Sequence, residues 1–371
     1  MRKVVGIVVV LVMVLLLLAV FLPVLTAPRR YTPSHPSPEH RAQREWWVGP
    51  ALGLRLTPAE LPRLYGSTSA EPLLKMVTGV VTGKQMVRLL MAGGWSGYRS
   101  RIYTREDYTS GGSFSETHVG NVTQTGGTHG AYEALVKNQA DLILVAREPS
   151  ADELKLAQDQ KVPLEVHPVA LDAFVFLVNR NNPVHALTLD QIRAVYSGQV
   201  TNWSQLGGPR QRIDAYQREE NSGSQELMES LVMHGPLAKP GEGAYGPLVR
   251  ETMRGPFYAL LQDRWGLGYT VFYYEENMMY ETEVAVCTVN LVAPNEQTIK
   301  SGEYPLIAPV YVAIRAGAPA ASPAKRLCNW LLGEEGQMVI DASGYVSMTS
   351  AQRRREADRA KGAAQLAPQP Q

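Results

Sequence analysis

The stretch HVGNVTQTGGTHGAYEALVKNQADLILVA, residues His118–Ala146, decides the fold. His118–Thr123 reads as a strand, and Leu142–Ala146 is a second, apolar one. Between them lie a Thr- and Gly-rich loop, Thr125-Gly126-Gly127-Thr128-His129-Gly130, and a segment, His129–Lys137, with helical spacing of apolar residues. Strand, loop, helix, strand is the repeating unit of an α/β protein. The pattern extends toward the N-terminus as strand Leu61–Gly66 and helix Leu73–Val80. Toward the C-terminus it continues through the apolar run His167–Asn179, helix Thr188–Tyr196, strand Ile213–Gln217 and helix Gly223–Met233. Strands Gly268–Tyr274, Val284–Leu291 and Pro309–Ile314 and helix Pro323–Leu332 complete it.

At 371 residues, 45% hydrophobic and 19% charged, the chain is long enough for two lobes with separate cores. Lys and Arg (36) balance Asp and Glu (35), so no basic field exists to hold nucleic acid and any preference for anions has to be local. The two cysteines, Cys287 and Cys328, exclude a disulfide-rich scaffold; one bridge or two buried thiols are equally open. Arg2-Lys3 precede an apolar run, Val4–Leu25, long enough to span a bilayer and longer than the roughly 7–15 residues of a signal-peptide core. Residues 1–27 are therefore expected to form a transmembrane helix retained as an anchor, with a cleaved signal sequence as the alternative. Residues 28–46, rich in Pro, Ser, Arg and His, read as a flexible stalk, and 351–371 as a disordered tail.

In α/β sheets, ligands gather where strands run into helix N-termini, whose unpaired N–H groups attract anions. Besides the loop already quoted, Gly66-Ser67-Thr68-Ser69-Ala70 and Asn221-Ser222-Gly223-Ser224 offer hydroxyls and backbone donors at helix starts. One such loop is usually a cap; three together favour an anion site. The sharpest of them is Arg218-Glu219-Glu220-Asn221-Ser222-Gly223-Ser224. It joins a planar five-donor cation to a donor loop, with Glu220 placed to hold the guanidinium.

These residues resemble the phosphate-binding subunit of ABC transporters. The most specific stretch runs from Val178-Asn179-Arg180-Asn181-Asn182-Pro183 through Leu187-Thr188-Leu189-Asp190-Gln191-Ile192 to Tyr196-Ser197-Gly198-Gln199-Val200-Thr201-Asn202-Trp203. The arginine segment, Gly268-Tyr269, Gly302-Glu303-Tyr304-Pro305-Leu306 and Trp330-Leu331-Leu332 with Glu335-Gly336-Gln337 follow in order, so the resemblance covers about residues 61–348. It implies a two-lobed type II periplasmic-binding-protein-like fold with a hinge of two crossover segments. Residues 61–164 and 304–350 would form one lobe and 165–303 the other. It implies an extracytoplasmic protein that captures inorganic phosphate or a related oxyanion for an ABC transporter permease, with no cofactor and no enzymatic activity. The implied ligand contacts are Thr68, Ser69 and Ala70, then Thr128 and His129, then Arg218, Ser222, Gly223 and Ser224, with Glu220 in support. One position departs from the family. Where its first lobe often has an aspartate that accepts a proton from bound phosphate, this chain has Arg147, within Val145-Ala146-Arg147-Glu148-Pro149-Ser150. Arg147 is counted as a further expected ligand contact, one that can only donate. Either Glu148 takes over as acceptor or the cleft takes another oxyanion.

Other constellations fall short. Gly79–Gln85 is one residue short of a phosphate loop and lacks its hydroxyl residue, and Ser322-Pro323-Ala324-Lys325 has none of the companion motifs of the penicillin-recognising enzymes. The seven histidines show no metal-ligand spacing. Two other classes of function remain as expectations to test: a membrane-anchored anion sensor using the same closure, and a phosphate-ester hydrolase with His129 as its base.

Overall fold

The computed structural model describes residues 44–93, 97–109, 126–235, 237–244, 246–279 and 281–355. Its principal strands are β1 (Arg44–Val48), β2 (Leu64–Gly66), β3 (Met86–Gly93), β4 (Gly97–Thr104), β5 (Leu142–Val145), β6 (Leu164–Asn179), β7 (Asp214–Ala215), β8 (Gln217–Arg218), β9 (Val249–Arg250), β10 (Gly266–Val271) and β11 (Ile307–Arg315). The helices that matter below are α1 (Glu71–Val81), α2 (Gly127–Val136), α3 (Ala151–Asp159), α4 (Gly223–Leu227), α5 (Gly255–Gln262), α6 (Pro323–Leu332) and α7 (Glu334–Ser343).

The longest apolar run of the sequence becomes the longest strand. β6 is buried without interruption from Pro168 to Asn179, as a strand covered on both faces must be. It sits within a mixed sheet of order β2-β5-β11-β6-β10-β7. Leu164–Ala173 pairs antiparallel with β11, and Phe174–Val178 pairs antiparallel with β10, so the strand changes partner between Ala173 and Phe174. Within the sheet, alternation sorts side chains by face. Leu142, Leu144, Val310, Val312 and Ile314 pack with α1, α6 and α7. Ile143, Val145, Tyr311 and Ala313 face α2 through Ala131, Tyr132 and Leu135. At the end of β2, a Cβ on Gly66 would lie 2.8 Å from the Leu144 carbonyl oxygen, so only glycine lets the chain turn there into the loop before α1.

Several expected elements change. Helix Pro323–Leu332 forms as read, its start capped by the Ser322 hydroxyl accepting from the Lys325 N–H. The expected strand Gly268–Tyr274 stops at Val271, and Tyr274–Met278 is a π-helical turn. The reason is aromatic packing: Tyr273 stacks on Tyr345 at 3.8 Å and donates its hydroxyl to the Ser343 carbonyl. Ile213–Gln217 divides into β7 and β8, which pair with β10 and β9 respectively. Val284–Leu291 likewise divides, Val284–Val286 pairing with β6 and Thr288–Val289 with Ala186–Leu187. Helix Gly223–Met233 is α-helical to Leu227 and π-helical beyond.

The stretch read as stalk ends early, because Arg44–Val48 pairs with β3 in an antiparallel sheet of order β1-β3-β4. The stretch read as disordered tail begins in a helix, 350–355. The transmembrane segment 1–27, strand His118–Thr123 and residues 356–371 lie outside the described residues. Among the described residues no helix is long and apolar enough to cross a membrane. Cys287 and Cys328 are both free and buried, which decides between the two options left open.

Candidate functional site

The loops at the ends of β2 and β8 and the start of α2 open on one cavity of about 800 Å³. Thr68 and Ser69 reach it from a 3₁₀ turn ahead of α1. Thr128 and His129 reach it from the first turn of α2, and Ser222, Gly223 and Ser224 from the start of α4. Helix starts present N–H groups that the helix itself leaves unused. Asn221 takes a left-handed conformation (φ 64°) to turn the chain from β8 into α4, where the Ser222 hydroxyl accepts from the Gln225 N–H at 3.2 Å. The walls meet tightly: a Cβ on Gly223 would stand 2.8 Å from Thr128 Oγ1. Glycine at that position lets the two helix starts approach.

Arg218 is the buried cation of the cavity, 7% exposed. Its Nε donates to the Arg250 carbonyl at 2.8 Å and its Nη2 to the Glu251 carbonyl at 3.1 Å. Its main-chain N–H is held by Tyr269 Oη and Gln225 Oε1 at 2.9 and 3.1 Å. Glu220, expected to hold the guanidinium, lies exposed at the cavity wall while the carbonyls of Arg250, in β9, and of Glu251, next to it, do that work. The difference matters, because a carbonyl fixes the guanidinium without cancelling its charge. Burial lowers the Arg218 pKa from its usual value, as expected for a cation stripped of water.

Ala70 and Arg147 stand apart from the cavity wall. The Ala70 N–H closes the 3₁₀ turn onto the Ser67 carbonyl at 2.9 Å, and its methyl group is buried in the core. Arg147, 5% exposed, is spent on Glu153: Nη1 to Oε2 at 2.7 Å and Nη2 to Oε1 at 2.8 Å. Glu153 is fully buried and also takes the Ser150 N–H at 2.8 Å and His129 Nδ1 at 3.0 Å. Glu148 is not among the residues lining the cavity either.

Sequence reasoning missed the third side of the cavity, where Arg254, Tyr258 and Tyr274 lie. Arg254 bonds the hydroxyls of Tyr274 and Tyr258, which raises its pKa. Its signal was an arginine directly before the Gly255-Pro256 helix opening, a position aimed at a helix start.

Residues 109–335 match the family described as the PBP superfamily domain. Among individual proteins, the chain is 26% identical to the phosphate-binding protein PstS of Bacillus subtilis over 194 residues, 52% of this chain and 60% of the relative. It is 25% identical to protein SphX of Synechococcus elongatus over 233 residues, 60% of this chain and 67% of the relative. The chain thus spans about three fifths of the length of the first of these relatives. In three dimensions it is similar to a putative phosphate ABC transporter substrate-binding protein with bound phosphate from Clostridium perfringens. That TM-score is 0.53 at 18% identity, covering 77% of this chain and 98% of the other. A phosphate transport receptor from Vibrio cholerae gives 0.51 at 21%, covering 76% and 98%. At these identities the structural likeness establishes an α/β periplasmic-binding-protein-like fold.

Proposed function

The chain belongs to the PBP superfamily, and from that premise we propose that it is an extracytoplasmic solute-binding protein that captures inorganic phosphate, or a related oxyanion, for delivery to an ABC transporter. The observation that carries this reading is Arg218: a buried guanidinium, fixed by two carbonyls and bonded to no carboxylate among the described residues, at the wall of a cavity edged by helix starts. A buried cation without a counter-ion is costly, and a small anion supplies the missing charge. Neutral hydroxyl and N–H donors around it let that anion shed its water. The names of the relatives, phosphate-binding proteins, support the same ligand.

We assign Thr68, Ser69, Thr128, His129, Arg218, Ser222, Gly223 and Ser224 as the ligand contacts, with Glu220 at the rim. Arg147 and Ala70 act behind the wall. We place the crossing between the lobes at Ala173/Phe174, inside β6, rather than after Leu164; the change of partner there supports this, and the return is put near Leu306, whose carbonyl takes the Phe174 N–H at 2.8 Å. Anion contact with both lobes favours the closed state, and closure is the signal to the permease. Val4–Leu25 anchors the protein in the membrane, or is removed as a signal sequence. The protein is a binder: turnover of a phosphate ester that disappears in His129→Ala would replace this reading with a hydrolase. Equilibrium dialysis of the full chain against labelled phosphate tests it; retention at micromolar phosphate is expected, and no retention at millimolar phosphate refutes it.

A further inference from the structure

Among the described residues His129 is bonded on one nitrogen only. Its Nδ1 lies 3.0 Å from Glu153 Oε1, and both oxygens of that carboxylate are otherwise filled by donors: the two Nη atoms of Arg147 and the Ser150 N–H. An ionised carboxylate only accepts, so Nδ1 carries the proton, and in the neutral imidazole this leaves Nε2 with a lone pair. The charge of Glu153 is answered by Arg147, so the carboxylate needs only the one imidazole proton. The ring is about a third exposed (34%) at the cavity wall, and no described residue is bonded to Nε2. The assigned contacts beside it, the hydroxyls and N–H groups of Thr68, Ser69, Thr128, Ser222 and Ser224 and the Arg218 guanidinium, supply donors to an anion; of the carboxylates in the lining, Glu219, Glu220 and Glu251 are exposed and Glu133 is bonded to Lys137.

We propose that His129 Nε2 accepts the proton of the anion bound in this cavity, set in that tautomer by the buried Arg147–Glu153 pair, and that it selects a tetrahedral oxyanion that still carries a proton over one that carries none. Hydrogen phosphate donates its hydroxyl to Nε2. Sulfate has no proton to give and turns an oxygen lone pair toward a nitrogen lone pair. Arg147 is then a positioning residue two contacts behind the ligand. The proposal rests on the oxyanion-binding reading above and names the ligand's protonation state.

The test is calorimetric titration of the full chain with inorganic phosphate and with sulfate, for the unmodified protein, His129→Phe and Glu153→Gln, together with nitrogen-15 NMR of the histidine rings. The unmodified chain is expected to prefer phosphate by about 100-fold or more, and His129→Phe to lose about 10-fold in phosphate affinity with none lost for sulfate. In Glu153→Gln the amide can donate to Nδ1, moving the ring proton to Nε2, so sulfate binding should increase relative to phosphate; the charge freed on Arg147 favours both anions and leaves that ratio unmoved. NMR should show the Nδ1–H tautomer for the signal absent in His129→Phe, and this measurement stands even if Glu153→Gln fails to fold. An Nε2–H tautomer, equal affinity of the unmodified chain for both anions, or an unchanged phosphate-to-sulfate ratio in His129→Phe overturns the proposal while leaving oxyanion binding intact. Failure of the unmodified chain to bind either anion overturns the binding reading and this proposal with it.

Discussion

Two arginines follow strands of this fold into buried positions, and they end up in opposite electrostatic circumstances. Arg147, just past β5, is clamped by both oxygens of Glu153. Among the described residues the guanidinium of Arg218, at the end of β8, is bonded only to the main-chain carbonyls of Arg250 and Glu251. Both side chains are fixed by hydrogen bonds and both are shielded from water, yet only one keeps an unanswered charge. What a buried arginine does is therefore set by the kind of acceptor that holds it: a carboxylate makes it structural, and carbonyls leave it able to attract an anion.

The comparison can be broken most forcefully at Arg147. Arg147→Met leaves the Glu153 carboxylate buried without its arginine, and should cost about 3–5 kcal/mol of unfolding free energy by denaturant titration. Arg147→Met with Glu153→Leu should regain part of that loss, because the stranded charge is gone; no recovery would mean that Arg147 matters for its packing instead.

Asp172 sharpens the comparison with a buried group that can discharge. It sits in β6 beside the change of partner, with Oδ1 taking the Ala173 and Tyr273 N–H groups at 2.8 and 2.9 Å and Oδ2 bonded to no described residue. Burial raises its pKa to about 7. An acid whose folded pKa lies above its unfolded value holds its proton more tightly when folded. Stability should thus be greatest below about pH 4, the unfolded carboxyl range, and fall as pH rises to about 7, above which it levels off. Asp172→Asn should remove this slope, so its stability relative to the unmodified chain should improve between pH 5 and pH 8 by on the order of 2–3 kcal/mol. Parallel curves for the two proteins would show that Asp172 stays charged.

The smallest effect concerns the approach of the Arg218 loop to α2. Gly223→Ala should weaken phosphate binding by about 1 kcal/mol, the low end of overpacking, because Thr128 Oγ1 can rotate to make room. Combined with Thr128→Ala, the substitution should cost less than the two single losses added; strict additivity in a titration series would mean that the walls do not touch in the bound state.

Much of this arrangement was legible in the chain itself. The strand–loop–helix units announce themselves through short apolar runs followed by Ser, Thr and Gly, and Arg218–Ser224 placed cation and donor loop in one turn. What could not be read is who holds whom. The partners of Arg218 are carbonyls more than thirty residues away, which have no side-chain signature. Glu153 was closer to legible, since Ser150-Ala151-Asp152-Glu153 has the spacing of a helix-capping box and would have revealed α3 with Glu153 turned back toward the Arg147 loop. Tyr273 and Tyr274 carry strand-forming side chains, but stacking on Tyr345, a contact between distant parts of the chain, overrides that preference. The β1-β3-β4 sheet was missed although glycines bound β3, at Gly83 and Gly93-Gly94, because arginines interrupt the apolar alternation of its strands, Arg88 in β3 and Arg99 and Arg101 in β4.

The central claim, that the unanswered charge of Arg218 holds the anion, is tested most directly by titrating inorganic phosphate calorimetrically into the full chain and into Arg218→Met and Arg147→Met, each at a temperature where circular dichroism shows it folded. The account predicts binding by the unmodified chain and by Arg147→Met, and a loss of about 100-fold or more in Arg218→Met, the scale of removing a buried charged partner. Phosphate binding by Arg218→Met at unmodified affinity would contradict it.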